Sequence, residues 1–350
     1  MKNILNVALW LSGLLWAGPV IAQQTDVSSV KIWDKGRHNA FTDLIYYRGA
    51  MYCTFREAPG HVPRSAGDNG KIRVIKSVDG KKWESVALLE KAGYDLRDSK
   101  LSVMPDGRLM VLMGGSVYEN GVCTGRLNHV SFFSDRTRRF TSPLPVKLDP
   151  AIRSQFDWLW RLTWHKGTGY GVVYRKENKK GSLAYLVKTK NGIDYSLVYA
   201  LTAYEIPGEA TVAFLPGDEM AIVLRRDAPG VKGIWGLSKP PYQDWTWNEM
   251  QLRLGGPALL QTSSGQLLLG TRSFDDDAFK IARTSIYSAT REGATRLLYT
   301  LESGGDTSYP GMIEHDGYLW VSYYSSHEGG KTNIYLAKIP VEELNKNLNK

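Results

Sequence analysis

One hairpin recurs six times along this chain, and that repetition constrains the fold more than any other feature. The copies are FTDLIYYRGAMYCTFRE (41–57), LSVMPDGRLMVLMGG (101–115), WRLTWHKGTGYGVVYRK (160–176), ATVAFLPGDEMAIVLRR (210–226), ALLQTSSGQLLLGTRS (258–273) and GMIEHDGYLWVSYYSS (311–326). Each is an apolar strand, a tight turn rich in Gly, Asp, Asn or Ser where positive φ is needed, and a second apolar strand. Turns recur about every 50 to 60 residues, the spacing of a repeat architecture whose units bury their faces against one another.

Further strand-like runs lie between the copies and end in similar corners. Residues 72–76 lead into SVDGKKW (77–83), 184–188 into TKNGIDY (189–195), and 130–133 into SDRTRRF (134–140). In each, a Ser or Thr precedes an Asp or its substitute, and an aromatic follows six residues after the start. The acidic side chain is expected to cap a tight turn and the aromatic to tuck beneath it. Four strands in each of six units predict an all-β fold, a six-bladed β-propeller. The last unit has only a third strand, 333–340, so residues 27–33 are expected to complete it. That closes the ring and removes two sheet edges. A short helix is expected at 341–348.

Residues 1–22 read as a signal peptide: a basic start, an apolar run over 4–16, and small residues before Gln23. The expectation is therefore an exported protein, periplasmic or extracellular, with one propeller domain over 23–350 and no membrane insertion after cleavage. Cys53 and Cys123 fall in different blades, so core packing rather than a disulfide framework holds the fold. The net charge of +9 favours an anionic ligand. Its basic residues are scattered rather than gathered in a stripe, which argues against nucleic acid and suits an acidic glycan.

Strand ends identify what the propeller mouth holds. The residue closing the second strand of each unit is Arg56, Gly114, Arg175, Arg225, Arg272 or Tyr324. Starts of first strands add Asp43, Arg97, Asp98, Trp160, Arg161, Glu209 and Tyr309. Charged groups at the ends of apolar strands need partners or an anionic ligand. Either they pair among themselves, or they form a binding mouth.

The corners resemble the Asp boxes of sialidases, with SVDGKKW the best copy. The resemblance extends to the mouth: Glu209 is followed sixteen residues later by Arg225, and Tyr309 stands in GDTSYPGMIEHDG near the start of a late blade. It implies a retaining glycosidase in which Tyr309 is the nucleophile, Glu209 its base and Asp68, in HVPRSAGDNG, the acid/base. A neutral phenol approaches an anomeric carbon bearing a carboxylate with less repulsion than a carboxylate would. Arg56, Arg225 and Arg272 would hold the sugar's carboxylate. One departure stands out. Thr42 occupies the place where the family carries a first-blade arginine. Either Arg56 supplies that charge, or the sugar is a different acidic one, such as a uronic acid; a non-catalytic glycan-binding propeller is a third reading.

No cofactor and no metal cage is expected from residue spacing. Loop residues His38, His61 and His327 could reach the mouth. Asp275, Asp276 and Asp277 form an acidic loop. Trp158 and Trp160 are candidate sugar platforms, whereas Trp245 and Trp247 read as outer-strand packing.

Overall fold

A computed structural model describes residues 27–175, 183–201, 206–228, 230–274 and 281–348. Residues 1–22, where a signal peptide is expected, and the acidic run 275–277 lie outside the described residues.

Each repeat folds into one sheet whose strands are antiparallel apart from Lys147–Leu148, which adds in parallel to blade three, and the six sheets form a six-bladed β-propeller. Blade one comprises His38–Tyr47, Ala50–Ala58, Lys71–Ser77 and Glu84–Leu89. The innermost strands of the next five blades are Asp95–Val103, Trp158–His165, Pro207–Leu215, Ala258–Gln261 and Thr307–His315. These six strands contact one another in cyclic order, blade six returning to blade one. Ser29–Trp33 pairs with Asn333–Pro340 and forms the outer strand of the last blade. Ring closure is as the sequence predicts, and the helix Val341–Leu348 follows it.

The alternating apolar residues of successive strands pack blade against blade, with Trp160 and Trp235 among the largest wholly buried side chains. Both cysteines are free. Two corners have the expected construction. The Asp79 carboxylate accepts the amides of Lys81 (2.8 Å) and Lys82 (2.9 Å), while Trp83 Nε1 donates to the Gly80 carbonyl (3.1 Å). Asn191 does the same for Ile193 and Asp194, both at 2.9 Å. The third corner differs. Asp135 stands one residue too early to cap the turn and instead pairs with Arg48, and Phe140 packs against Phe133.

A second regularity was not visible in the sequence. In five blades the innermost strand carries two residues opposite one on its neighbour, near the axial end of the hairpin. The paired insertions are Phe41-Thr42, Asp98-Ser99, Trp160-Arg161, Gly208-Glu209 and Tyr309-Pro310. Such bulges bend a strand and re-aim its side chains. Phe41, Asp98 and Tyr309 all have left-handed backbone there, with φ of 64°, 54° and 55°. For residues with a Cβ this conformation costs about 1–3 kcal/mol each and persists only where surrounding structure holds it.

Candidate functional site

Phe41, Asp98, Glu209 and Tyr309, from four of the five bulges, line a cavity of about 280 Å³ at one mouth of the propeller. Its floor is built around Tyr309 and Glu209, from blades six and four. Tyr309 Oη donates to Glu209 Oε1 at 2.6 Å. The other carboxylate oxygen accepts Arg225 Nη1 at 2.5 Å and the Gly256 amide at 2.9 Å. Arg225 is held in turn by Asp227, 2.6 Å from its Nε. Gly256 has no substitute here: its φ is +59°, and a Cβ would lie 2.7 Å from the Tyr309 ring.

Burial would raise the Glu209 carboxyl, but Arg225 and the hydrogen bonds from Tyr309 and Gly256 overcome it and hold the group at about 2. Burial and the neighbouring Glu209 charge push the Tyr309 phenol well above its ordinary value. The resting pair is therefore a neutral phenol donating to a carboxylate.

The Tyr309 ring is fixed on several sides. Phe41 lies 4.9 Å away between centroids and Trp160 5.3 Å, while the Arg272 guanidinium carbon is 5.5 Å from the ring centre. Behind the ring, buried Lys100 sits 5.8 Å from its centre and 4.4 Å from that of Trp160. Burial and the Arg161 charge lower the Lys100 ammonium to about 8. Thr42 donates to the Tyr309 carbonyl at 2.7 Å. The residue that departs from the sialidase pattern thus tethers the backbone of the tyrosine.

Asp98 lines the same cavity from the blade-two bulge. Burial raises its carboxyl to about 6, although Arg97 and Lys100 pull the other way. Among the described residues its side chain makes no hydrogen bond or ion pair. The cavity wall carries four arginines: Arg97, Arg126, Arg225 and Arg272. Arg97 is braced by Asp95, 2.7 Å from its Nε, and Arg272 donates to the Thr307 carbonyl and to Tyr324 Oη, both at 3.1 Å. Arg126 lies over the Trp158 ring, 5.3 Å from its centre, and its buried Nε has no acceptor among the described residues.

Several residues expected at the mouth are placed elsewhere. Arg56 is wholly buried, bonded through Nε (3.1 Å) and Nη2 (2.6 Å) to Asp95 and through Nη1 to the Gly60 carbonyl. With each of its nitrogens already bonded and no exposure, it does not replace the missing first-blade arginine. Arg175 likewise pairs with Asp157, 2.9 Å away. Asp43 and Arg161 form a two-pronged pair at 3.0 and 3.1 Å, and Asp43 also accepts the Leu101 amide. That pair staples blade one to blade three and does not line the cavity. Asp68 borders a separate depression, where its carboxylate accepts the amides of Arg64 (3.2 Å) and Ser65 (3.1 Å). It is tied to its own turn, and the carboxyl that the fold brings beside Tyr309 and Glu209 is Asp98. Trp160 supports Tyr309 from below instead of facing the cavity.

Strand-end reasoning missed Arg126. It lies on Val122–Ser134, the third strand of blade two, which is 13 residues long against 7 or 8 for the third strands of blades one, three and six. The excess length of that hairpin was the available signal. Gly114 permits the arrangement, because a Cβ there would lie 2.1 Å from the Trp158 ring.

No protein-family model and no curated protein matches the sequence. Solved structures do match. A Dyadobacter fermentans protein of unknown function superimposes with a TM-score of 0.75 at 19% identity, over 91% of this chain and 98% of that one. Trypanosoma rangeli sialidase gives 0.68 at 12% identity, over 91% of this chain but only 59% of the sialidase chain. A mutant of the NanB sialidase of Streptococcus pneumoniae gives 0.67 at 8% identity, covering 90% and 71%. At these identities the likeness is one of fold: this chain shares the six-bladed propeller found in sialidases.

Proposed function

We propose that this protein is an exo-acting retaining glycosidase that releases a terminal acidic sugar. The observation that carries the reading is the 2.6 Å hydrogen bond from Tyr309 Oη to Glu209 Oε1, on the floor of a cavity walled by four arginines. At about 280 Å³ the cavity falls near the lower end of small-molecule sites, which span about 300–1,000 Å³, and suits one sugar rather than a chain. Residues 1–22 support export, so the substrate is a glycan met outside the cytoplasm.

In this mechanism Tyr309 Oη bonds to the anomeric carbon while its proton passes to Glu209. The glycosidic C–O bond breaks, and the departing oxygen takes the proton of Asp98. Water then gives a proton to Asp98 and attacks the same carbon, and Tyr309 leaves with the proton returned by Glu209. Asp98 suits the acid's role because its carboxyl is raised to about 6, whereas Glu209 is ionised at the same pH. Engagement of Arg225 by the sugar's carboxylate would draw charge away from Glu209 and make it a stronger base as the substrate arrives.

The test is hydrolysis of sialosides by the wild type, Tyr309→Phe and Glu209→Ala. Loss of the nucleophile or its base is expected to cost on the order of 10²–10⁴ in kcat. Undiminished turnover in both variants would overturn the mechanism.

A second reading keeps the site and changes the sugar. It is favoured by Arg56 being closed against Asp95 while Thr42 tethers Tyr309, so that no blade-one arginine reaches the cavity. A uronic-acid-containing glycan would then be cleaved by hydrolysis or elimination. Assaying acidic glycans for new reducing ends and for ultraviolet absorbance of unsaturated products separates the two. Strict sialoside specificity would exclude the second.

A further inference from the structure

We propose that His38, His61 and Asp306 bind one divalent transition-metal ion, zinc by preference, at the rim of the cavity. Three separate elements bring these side chains together. His38 opens the innermost strand of blade one, His61 lies on the loop after that blade's second strand, and Asp306 directly precedes the innermost strand of blade six. One ligand atom from each lies within 4.8 Å of the others. Their separation in sequence leaves no metal-binding spacing to read, so only the fold reveals the group.

The distances suit a shared ion better than direct bonds. His38 Nε2 is 3.3 Å and His61 Nδ1 3.8 Å from the same oxygen, Asp306 Oδ2. A charge-assisted hydrogen bond would be about 2.7–2.9 Å. Ligands bonded at about 2.1 Å to a tetrahedral zinc lie about 3.4 Å apart, between the two observed separations. The two imidazole rings meet edge to face with centroids 5.3 Å apart, and Phe41 packs against His61 at 5.2 Å. The His61 carbonyl accepts Arg97 Nη2 at 3.1 Å, which anchors the loop that carries the ring.

Two imidazoles and one carboxylate select zinc and its first-row neighbours over calcium or magnesium, which prefer oxygen alone. Three protein ligands leave the fourth position of a zinc ion free, as in sites that bind water or a substrate oxygen. Because His61 also lines the cavity, that position would take a hydroxyl or carboxylate oxygen of the glycan. The ion would thus add a positive charge beside blade one, which sends no arginine of its own into the cavity.

The experiment is titration of the chelator-treated full chain with zinc chloride by calorimetry, followed by the visible spectrum after loading with cobalt(II). One saturable site per chain and an intense tetrahedral cobalt band are expected. His61→Ala, at a half-exposed loop position where folding is not at risk, and His38→Ala should each weaken zinc binding by about 100-fold or more, beyond the 10- to 100-fold effect of losing an outer-shell partner. His327→Ala, at a histidine bonded to Ser325 and close to Glu302, should leave it unchanged. Absence of saturable binding would overturn the proposal, and so would binding that survives both His38→Ala and His61→Ala. Zinc binding is read without turnover, so its failure is distinct from failure of the glycosidase reading.

Discussion

Arg56 and Arg225 close the second strands of blades one and four, and each is bonded to a carboxylate, yet they serve different ends. Asp95 meets Arg56 completely: both side chains have zero exposure, and the Gly70 amide (2.6 Å) and Arg97 also bond to that carboxylate. Arg225 keeps 18% of its side chain exposed at the cavity, and its partner Glu209 is shared with the phenol of Tyr309. A repeat therefore sets where an arginine begins. The neighbouring blade decides whether its charge is consumed in the wall or left for a ligand.

The sharpest way to break the contrast is to remove each guanidinium separately. Arg56→Met leaves the buried Asp95 carboxylate with only Arg97 and the Gly70 amide, and breaking one partner of a buried pair costs up to about 3–5 kcal/mol. Thermal or denaturant unfolding should show the loss, and activity should fall only as far as the folded fraction does. Arg225→Met is expected to leave the unfolding midpoint within a few degrees while lowering kcat/KM at least about tenfold, the effect of about 1.4 kcal/mol of lost transition-state binding. If both variants behaved alike, the distinction between wall and mouth would fail.

The pH dependence sharpens the comparison at smaller amplitude. Asp98 acts as an acid only while protonated, so kcat/KM should fall as pH rises through about 6. Glu209, held at about 2, stays ionised across that range and sets no limb near neutrality. The linkage has a matching sign. A carboxyl raised in the folded state stabilises the protein fully below its unfolded value, and that contribution is lost as pH passes through the folded one. Asp98→Asn should abolish the limb near pH 6 and spare substrates with activated leaving groups. The smallest effect belongs to Asp68→Asn, which should leave the pH profile in place and change stability by no more than about 1 kcal/mol through its amide caps.

Much of the fold was legible because a hairpin repeat is a local pattern: turns, alternation and spacing needed no knowledge of partners. Glu209, Arg225, Arg272, Asp98, Arg97 and Tyr309 were legible as strand-end residues for the same reason. Non-local matters were not. Nothing adjacent to Arg56 in sequence announces Asp95 on the next blade, and nothing near Asp43 announces Arg161 two blades away. Asp68 sits in a run whose own backbone amides compete for its carboxylate, the usual fate of an Asp in a turn. Left-handed backbone at Phe41, Asp98 and Tyr309 carries no glycine to mark it, so the bulges stayed hidden until the strands were paired.

Those five bulges also separate the instruction for building the propeller from the instruction for what it does. Each lies outside the regular ladder, so exchanging its residue alters the chemistry offered to the axis while the flanking hydrogen bonds keep their register. The ring acts as a set of interchangeable sockets around one point. A designer, or natural variation, could move an acid from one blade to another without redrawing the sheet that holds it.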